Sequence, residues 1–172
     1  MAFIKKLAFP RVMAIALSLI PAANGLTIFF NNIFIWREEV QRMTVPLLSM
    51  EGTNKSPSHM WRAIDSESVA ILCHFFVLTF PLLIGVMASM GIARMLRALV
   101  ADKATFLKGV CLVKYSCLVG LFLWGFLFTV VAGNWFLSWQ NPDLSFLHLD
   151  GLLYSALVMF VYFSLHTMSK EL

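Results

Sequence analysis

VAILCHFFVLTFPLLIGVMASMGIA, residues 69–93, runs for 25 positions without an Asp, Glu, Lys or Arg. At helical rise such a segment exceeds the thickness of a bilayer's hydrocarbon core, which takes roughly 20 residues to cross. A buried helix of a soluble protein rarely needs that length, so the stretch reads as a membrane span. Three others resemble it, at 12–36, 109–135 and 149–165. The whole chain agrees: 172 residues, 60% hydrophobic and only 13% charged, with a mean hydropathy of +0.82, well beyond the apolar share of a soluble domain. The expected fold is all-α, one integral membrane four-helix bundle over 1–172.

The first stretch invites a second reading, because Lys5, Lys6 and Arg11 precede it and PAANG offers small residues near a cleavage point. Apolar character resumes after Gly25 with LTIFFNNIFIW, however, making the segment longer than a signal-peptide core of about 7 to 15 residues. It is expected to remain as the first span, kinked at Pro21 and Asn24-Gly25.

With both termini inside, the cytoplasmic segments hold Lys5, Lys6, Arg11, Arg94, Arg97, Lys103, Lys108 and Lys170. The outer segments hold Arg37, Arg42, Lys55 and Arg62, and most of the acidic residues. That bias orients the chain with N- and C-termini cytoplasmic. The net charge of +4 is then a topological signature. No basic surface interleaved with aromatics points to nucleic acid.

The one sizeable polar connection is the outer loop, 37–65. In WREEVQRMTVPLLSM, residues 36–50, Trp36, Val40, Met43 and Leu47 recur at helix spacing, and Glu38 stands four before Arg42 as a supporting pair. A short interfacial helix is expected there, its apolar face at the headgroup boundary. The loop is either a plain connector or a partner-binding surface. ADKATF (101–106) and NPDLSFLH (141–148) are short enough to make neighbouring helices antiparallel, giving an up-down-up-down order.

Polar residues inside spans need a reason. Asn24, Asn31 and Asn32 are expected near one face of span one, turned into the bundle as interhelical hydrogen-bonding groups. In span two, Thr79, Pro81 and the Gly85–Ser89 small-residue pair read as packing features. Lys114 is expected to snorkel to the headgroups. Among the histidines only His74 and His148 share a side, at differing depths, so neither haem nor another metal is expected. Cys73, Cys111 and Cys117 form no C-x-x-C. No nucleophile–base pair, metalloprotease helix or glycine-rich phosphate loop is present, so the chain reads as a non-enzyme without cofactor.

GNWFLSWQNP, residues 133–142, closes span three. Trp135 and Trp139, four apart, are expected on one helix face within an aromatic belt, with Asn141-Pro142 ending the helix. Asn134 is the residue that an anchor does not require; the outer loop near Trp61 and the rim residue Asp150 are its expected neighbours. Asp150 and Tyr154, one turn apart, are placed to share a hydrogen bond.

NNIFIWREEVQRM, PLLSM, MWRAI and GNWFLSWQN together resemble a bacterial family of predicted small integral membrane proteins of unknown function, over nearly the whole chain. The resemblance implies a four-span, multi-pass protein of the bacterial inner membrane. It further implies acidic residues at the position of Asn134, after the Ser-Met of the outer loop, and in span two. Only Glu51 keeps one here; Asn134, Thr79 and Phe80 are uncharged.

These features point to action by protein–protein contact, and most specifically to an immunity protein that protects its cell from a membrane-acting, pore-forming toxin. The alternatives are an accessory subunit of a respiratory or secretory membrane complex and a small transporter or channel. Candidate contact residues are Trp36, Arg37, Glu38, Trp61, Arg62, Asn134, Trp135, Trp139 and Asp150, beside the lipid bilayer itself.

Overall fold

A computed structural model describes the backbone of residues 2–171 and the side chains of 9–170. Among the described residues there are helices and turns but no strand. Four helices are long and apolar enough to cross a membrane: Phe9–Phe34 within α1 (Ala2–Phe34), α4 (Glu67–Arg97), α5 (Lys103–Trp135), and Ser145–Lys170 within α6 (Ser145–Glu171). Between α1 and α4 lie α2, a continuous helical stretch over 36–48, and the one-turn α3 (Pro57–Met60). The spans pack in ring order, α1 on α4, α4 on α5, α5 on α6, with α6 closing back on α1. Both chain ends therefore meet at one end of the bundle, the terminal end; α2, α3 and the turn at 136–144 form the other, the loop end.

The boundaries have local causes. Ser66 Oγ accepts from Val69 N–H at the start of α4. Asp102 caps α5 through Thr105 N–H and the Thr105 hydroxyl, at 3.0 and 2.6 Å, an N-cap arrangement that holds its carboxyl below the usual range. From Leu121 to Trp135, α5 widens to i→i+5 hydrogen bonding. Helix α1 runs unbroken through Pro10, Pro21 and Asn24-Gly25.

Glycines set how closely the spans approach. A Cβ on Gly25 would lie 2.6 Å from both Gly85 N and Pro81 O, so α1 and α4 touch backbone to backbone. Gly91 and Gly109 do the same for α4 and α5, where each Cβ would meet the other's carbonyl within 2.8 Å. The expected Gly85–Ser89 pair is thus replaced by Gly85, Ala88 and Gly91, which are buried while Ser89 is only half-buried. Thr79 faces outward, its hydroxyl bonded to Phe76 O at 2.7 Å on its own helix, so it takes no part in packing.

The core divides in two. The larger part, around Met95, Phe106, Val113, Trp124 and Leu165, fills the bundle. The smaller, built on Val40, Leu48, Met50, Ala70, Phe136 and Leu137, joins α2 to the loop end. Outside, large apolar side chains face away from the bundle, such as Phe9, Leu72, Phe126, Leu153 and Phe163. In water that surface would aggregate; against lipid it is the solvated one.

Arg11 does more than add a positive charge to the terminal end: it is 5% exposed, and its Nη1 donates to the carbonyls of Ala98, Leu99 and Ala101 at 3.3, 2.9 and 2.7 Å. The guanidinium also lies over the Phe106 ring. A cation on the carbonyls of the turn that follows α4 is favourable by hydrogen bonding and by the dipole of the helix that ends there. The side chains of Lys5 and Lys6 lie outside the described residues. Lys114 likewise does more than snorkel, since its Nζ reaches His166 Nδ1 at 3.2 Å and rests over Tyr162, tying α5 to α6.

Candidate functional site

The loop end carries the candidate contact residues, and its construction starts from α2. Val40 and Leu48 bury the underside of α2, with Trp36 and Leu47 half-buried beside them, so the expected helix forms, but its apolar face packs on Ala70, Phe136 and Leu137 of the bundle rather than resting at the headgroup boundary. Gln41 Nε2 donates to Glu67 Oε1 at 2.5 Å, fastening α2 to the first turn of α4. The charge acting near Arg42 is that of Glu39, whose carboxyl burial pushes up while Arg42 pulls it down by less. Glu38 is exposed.

After α2 the chain reverses through Met50 and Gly52, both in the left-handed region at φ 55° and 70°. Met50 is nevertheless completely buried. Strain in a non-glycine residue persists where the surroundings over-determine it, and here Thr53 binds Met50 O through both its N–H and its hydroxyl. Ile64 N–H returns to Leu48 O at 2.8 Å. The loop is a built structure.

Its anchor is Asn141. That side chain is 5% exposed; its Nδ2 donates to Glu51 O at 2.6 Å and its Oδ1 accepts from Asp143 N–H at 2.8 Å. Beside it Gln140 Oε1 accepts from Asn54 N–H at 3.0 Å. The 36–66 connection is thus clamped to the α5–α6 turn. Asn134, the residue expected to meet the loop, is exposed and forms no side-chain hydrogen bond among the described residues. The physical reason is that α5 ends at Trp135 rather than at Asn141-Pro142: Phe136 N–H closes on Val131 O, and Leu137 turns left-handed at φ 56°. This early stop turns Asn141 inward. It also carries Trp139 onto a separate short turn, Ser138–Gln140, so Trp135 and Trp139 do not share a helix face.

What covers the rim is an aromatic–cation surface. Trp61 meets Trp135 edge to face at 5.7 Å between centroids, and the Arg62 guanidinium lies 5.2 Å over the Trp135 ring. Trp61 is 72% exposed, and Trp135 and Trp139 are about half exposed. Across the rim Trp36 packs on Phe75 and lies under Arg37. Of the candidate contact residues, Trp61, Arg62 and Trp135 are brought together, Trp36 and Arg37 form a second pair, and Asn134 and Trp139 are exposed separately. Asp150 is half-buried, and its expected partner Tyr154 instead stacks on Trp124 at 5.2 Å.

Beneath α2 lies a cavity of about 330 Å³. Its walls are apolar apart from Asn32 of α1, Thr44 of α2, and Cys73 and His74 of α4. Thr44 Oγ1 lies 3.3 Å from His74 Nδ1, while His74 Nε2 is buried without a partner. The three span-one asparagines do not act together. Residues 31 and 32 stand 100° apart on a helix, so Asn32 lines the cavity while Asn31 is exposed. None of Asn24, Asn31 and Asn32 forms a side-chain hydrogen bond among the described residues. Among those residues there is also no group of three or more His, Cys, Asp or Glu arranged to hold a metal.

The sequence model of a family described as predicted small integral membrane protein (DUF2165) matches residues 10–169. No curated protein and no solved structure matches the chain.

Proposed function

We propose, since the chain belongs to the DUF2165 family of predicted small integral membrane proteins, that it acts without catalysis, by binding another protein at its loop end. The most specific form of this reading is an immunity protein. It would lie in a bacterial inner membrane with both termini cytoplasmic and would protect its own cell from a membrane-acting, pore-forming toxin.

The observation that carries the reading is the clamped aromatic–cation rim. Trp and Arg dominate the energetics of protein interfaces because they bury large, rigid area and form directional contacts. Trp61 and Trp135, with Arg62 stacked upon Trp135, supply both residue types. An anchor to lipid alone asks for tryptophans at headgroup depth. It does not ask for a loop fastened by Asn141 and Gln140 and buried on Met50. Rigid presentation lowers the ordering cost of association. A bundle embedded where a pore-forming toxin assembles meets such a toxin at the rim. The orientation is supported by the excess of Lys and Arg at the terminal end.

The test is deletion of the gene, followed by challenge with toxin-producing kin cells and measurement of membrane potential. Protection predicts that the deletant depolarises beside attackers and that the intact chain restores its potential. A Trp61→Ala/Arg62→Ala chain, inserted at normal level, should not restore it. A deletant that keeps its potential and viability removes the immunity reading. Co-purification with a respiratory or secretory complex instead would identify an accessory subunit.

A further inference from the structure

The cavity beneath α2 plays no part in the contact reading, and its chemistry is specific. Its roughly 330 Å³ lies at the small end of ligand pockets, about 300 to 1,000 Å³. Trp124, Phe128, Phe76 and Phe136 give it aromatic walls. A water molecule needs two to four polar partners to settle in such a space, and this lining offers few. Left empty, the walls would forfeit dispersion contacts on every side.

The single buried polar atom among its lining residues that lacks a partner is His74 Nε2, among the described residues; the His74 side chain is 94% buried. Which proton it carries follows from Thr44. If Nδ1–H donated to Thr44 Oγ1, the Thr44 hydroxyl proton would itself lack an acceptor, leaving two buried groups unpaired. If the Thr44 hydroxyl donates to Nδ1, only Nε2–H remains open. Fewer orphaned groups favour the second arrangement, so His74 keeps an unpaired Nε2–H among the residues that line the cavity. Access comes from the side: Phe76 lines the cavity and is also 53% exposed on the outer surface of α4. Close by, Pro81 cannot donate to the carbonyl of Val77, another wall residue.

We infer that this chamber binds a lipophilic carbonyl compound of one or two rings, an aromatic ketone or quinone entering from the bilayer, whose oxygen accepts a hydrogen bond from His74 Nε2. The rings fill the space between the aromatic walls and the oxygen satisfies the one fully buried open donor. Thr44 is a positioning residue, since it fixes the tautomer without touching the ligand's oxygen.

The probe is 1,4-naphthoquinone, added to the full chain in detergent while tryptophan fluorescence is followed. Saturable quenching is expected, and it should vanish in Trp124→Phe, because Trp124 is the tryptophan in the chamber wall. His74→Phe keeps a ring and removes the donor; Thr44→Val keeps the shape and frees the tautomer. Loss of one hydrogen bond corresponds to about tenfold weaker binding for His74→Phe, with a smaller loss for Thr44→Val. Naphthalene, which lacks the carbonyls, should bind at least tenfold more weakly than the quinone, read by its competition with it. Quenching that only follows partition into detergent would overturn the inference. So would equal competition by naphthalene, which would make the chamber a plain acyl-chain slot. Should His74→Phe fail to fold, unaltered affinity in a folded Thr44→Val protein would overturn it as well.

Discussion

Replacing Asn141 with alanine should release the loop end while leaving the bundle folded. Two hydrogen bonds disappear, to Glu51 O at 2.6 Å and from Asp143 N–H at 2.8 Å, from a side chain only 5% exposed. Each is worth about 1 kcal/mol net, and stranding the Glu51 carbonyl costs a further 1 kcal/mol or so, giving roughly 2 to 4 kcal/mol for loop opening. The lower figure is about a thirtyfold rise in the opening equilibrium. Hydrogen exchange followed by mass spectrometry in detergent reads it directly. Peptides covering 50–64 contain the Thr53 and Ile64 amides, bonded to Met50 O and Leu48 O, and these should exchange about thirtyfold faster. Amides of α4 and α5 should keep their protection. Asn141→Asp separates the two bonds: its carboxylate retains the acceptor for Asp143 N–H and loses the donor to Glu51, so the loop should still open. Unchanged exchange over 50–64 in Asn141→Ala would refute the clamp, and with it the claim that the rim is rigidly presented.

Three further outcomes follow from the packing and charges. Arg11→Met should lower stability by about 2 to 3 kcal/mol, because the carbonyls of the turn after α4 lose a charged donor, and Arg11→Lys should recover only part, a point charge replacing a planar fork; unfolding in mixed micelles with rising SDS measures both. Gly25→Leu should cost more than Gly25→Ala and both should destabilise, the alanine by roughly 1 to 3 kcal/mol, because even a Cβ meets Gly85 N and Pro81 O at 2.6 Å. Glu39 has a folded-state pKa raised by burial above the usual 4.5, so its ionised form is penalised on folding. Stability should therefore rise as pH falls through the folded value towards 4.5, and Glu39→Gln should flatten that slope and stabilise α2 at neutral pH.

The spans were legible because lipid imposes a simple rule, long apolar runs with satisfied backbone, and 69–93 obeys it without a charge. The helix of the first loop was legible from Trp36, Val40, Met43 and Leu47 at helix spacing, though not that its apolar face packs on the bundle itself. What misled was the end of α5. Apolar and aromatic residues continue past Trp135 through Phe136, Leu137 and Trp139, and no glycine or proline marks the reversal, which a strained left-handed leucine makes instead. Placing the helix end six residues too late made Asn134, rather than Asn141, the residue expected to meet the outer loop. Arg11 was legible as a charge but not as a cap, since its partners are carbonyls 87 to 90 positions away. The cavity had no sequence signal, because packing defects between spans are made by helix placement; a signal did exist for its polar edge, in His74 standing alone within an otherwise apolar run.

Site-specific crosslinking in living cells addresses contact at the loop end most directly. A photoreactive benzophenone side chain placed at position 61, the most exposed residue of the rim tryptophans, would be irradiated with and without toxin-producing kin cells present. The contact reading predicts a discrete protein adduct that appears or intensifies on challenge and is lost when Arg62 is also replaced by alanine. Adducts to lipid alone, equal in both conditions, would contradict it and leave the rim as a membrane anchor.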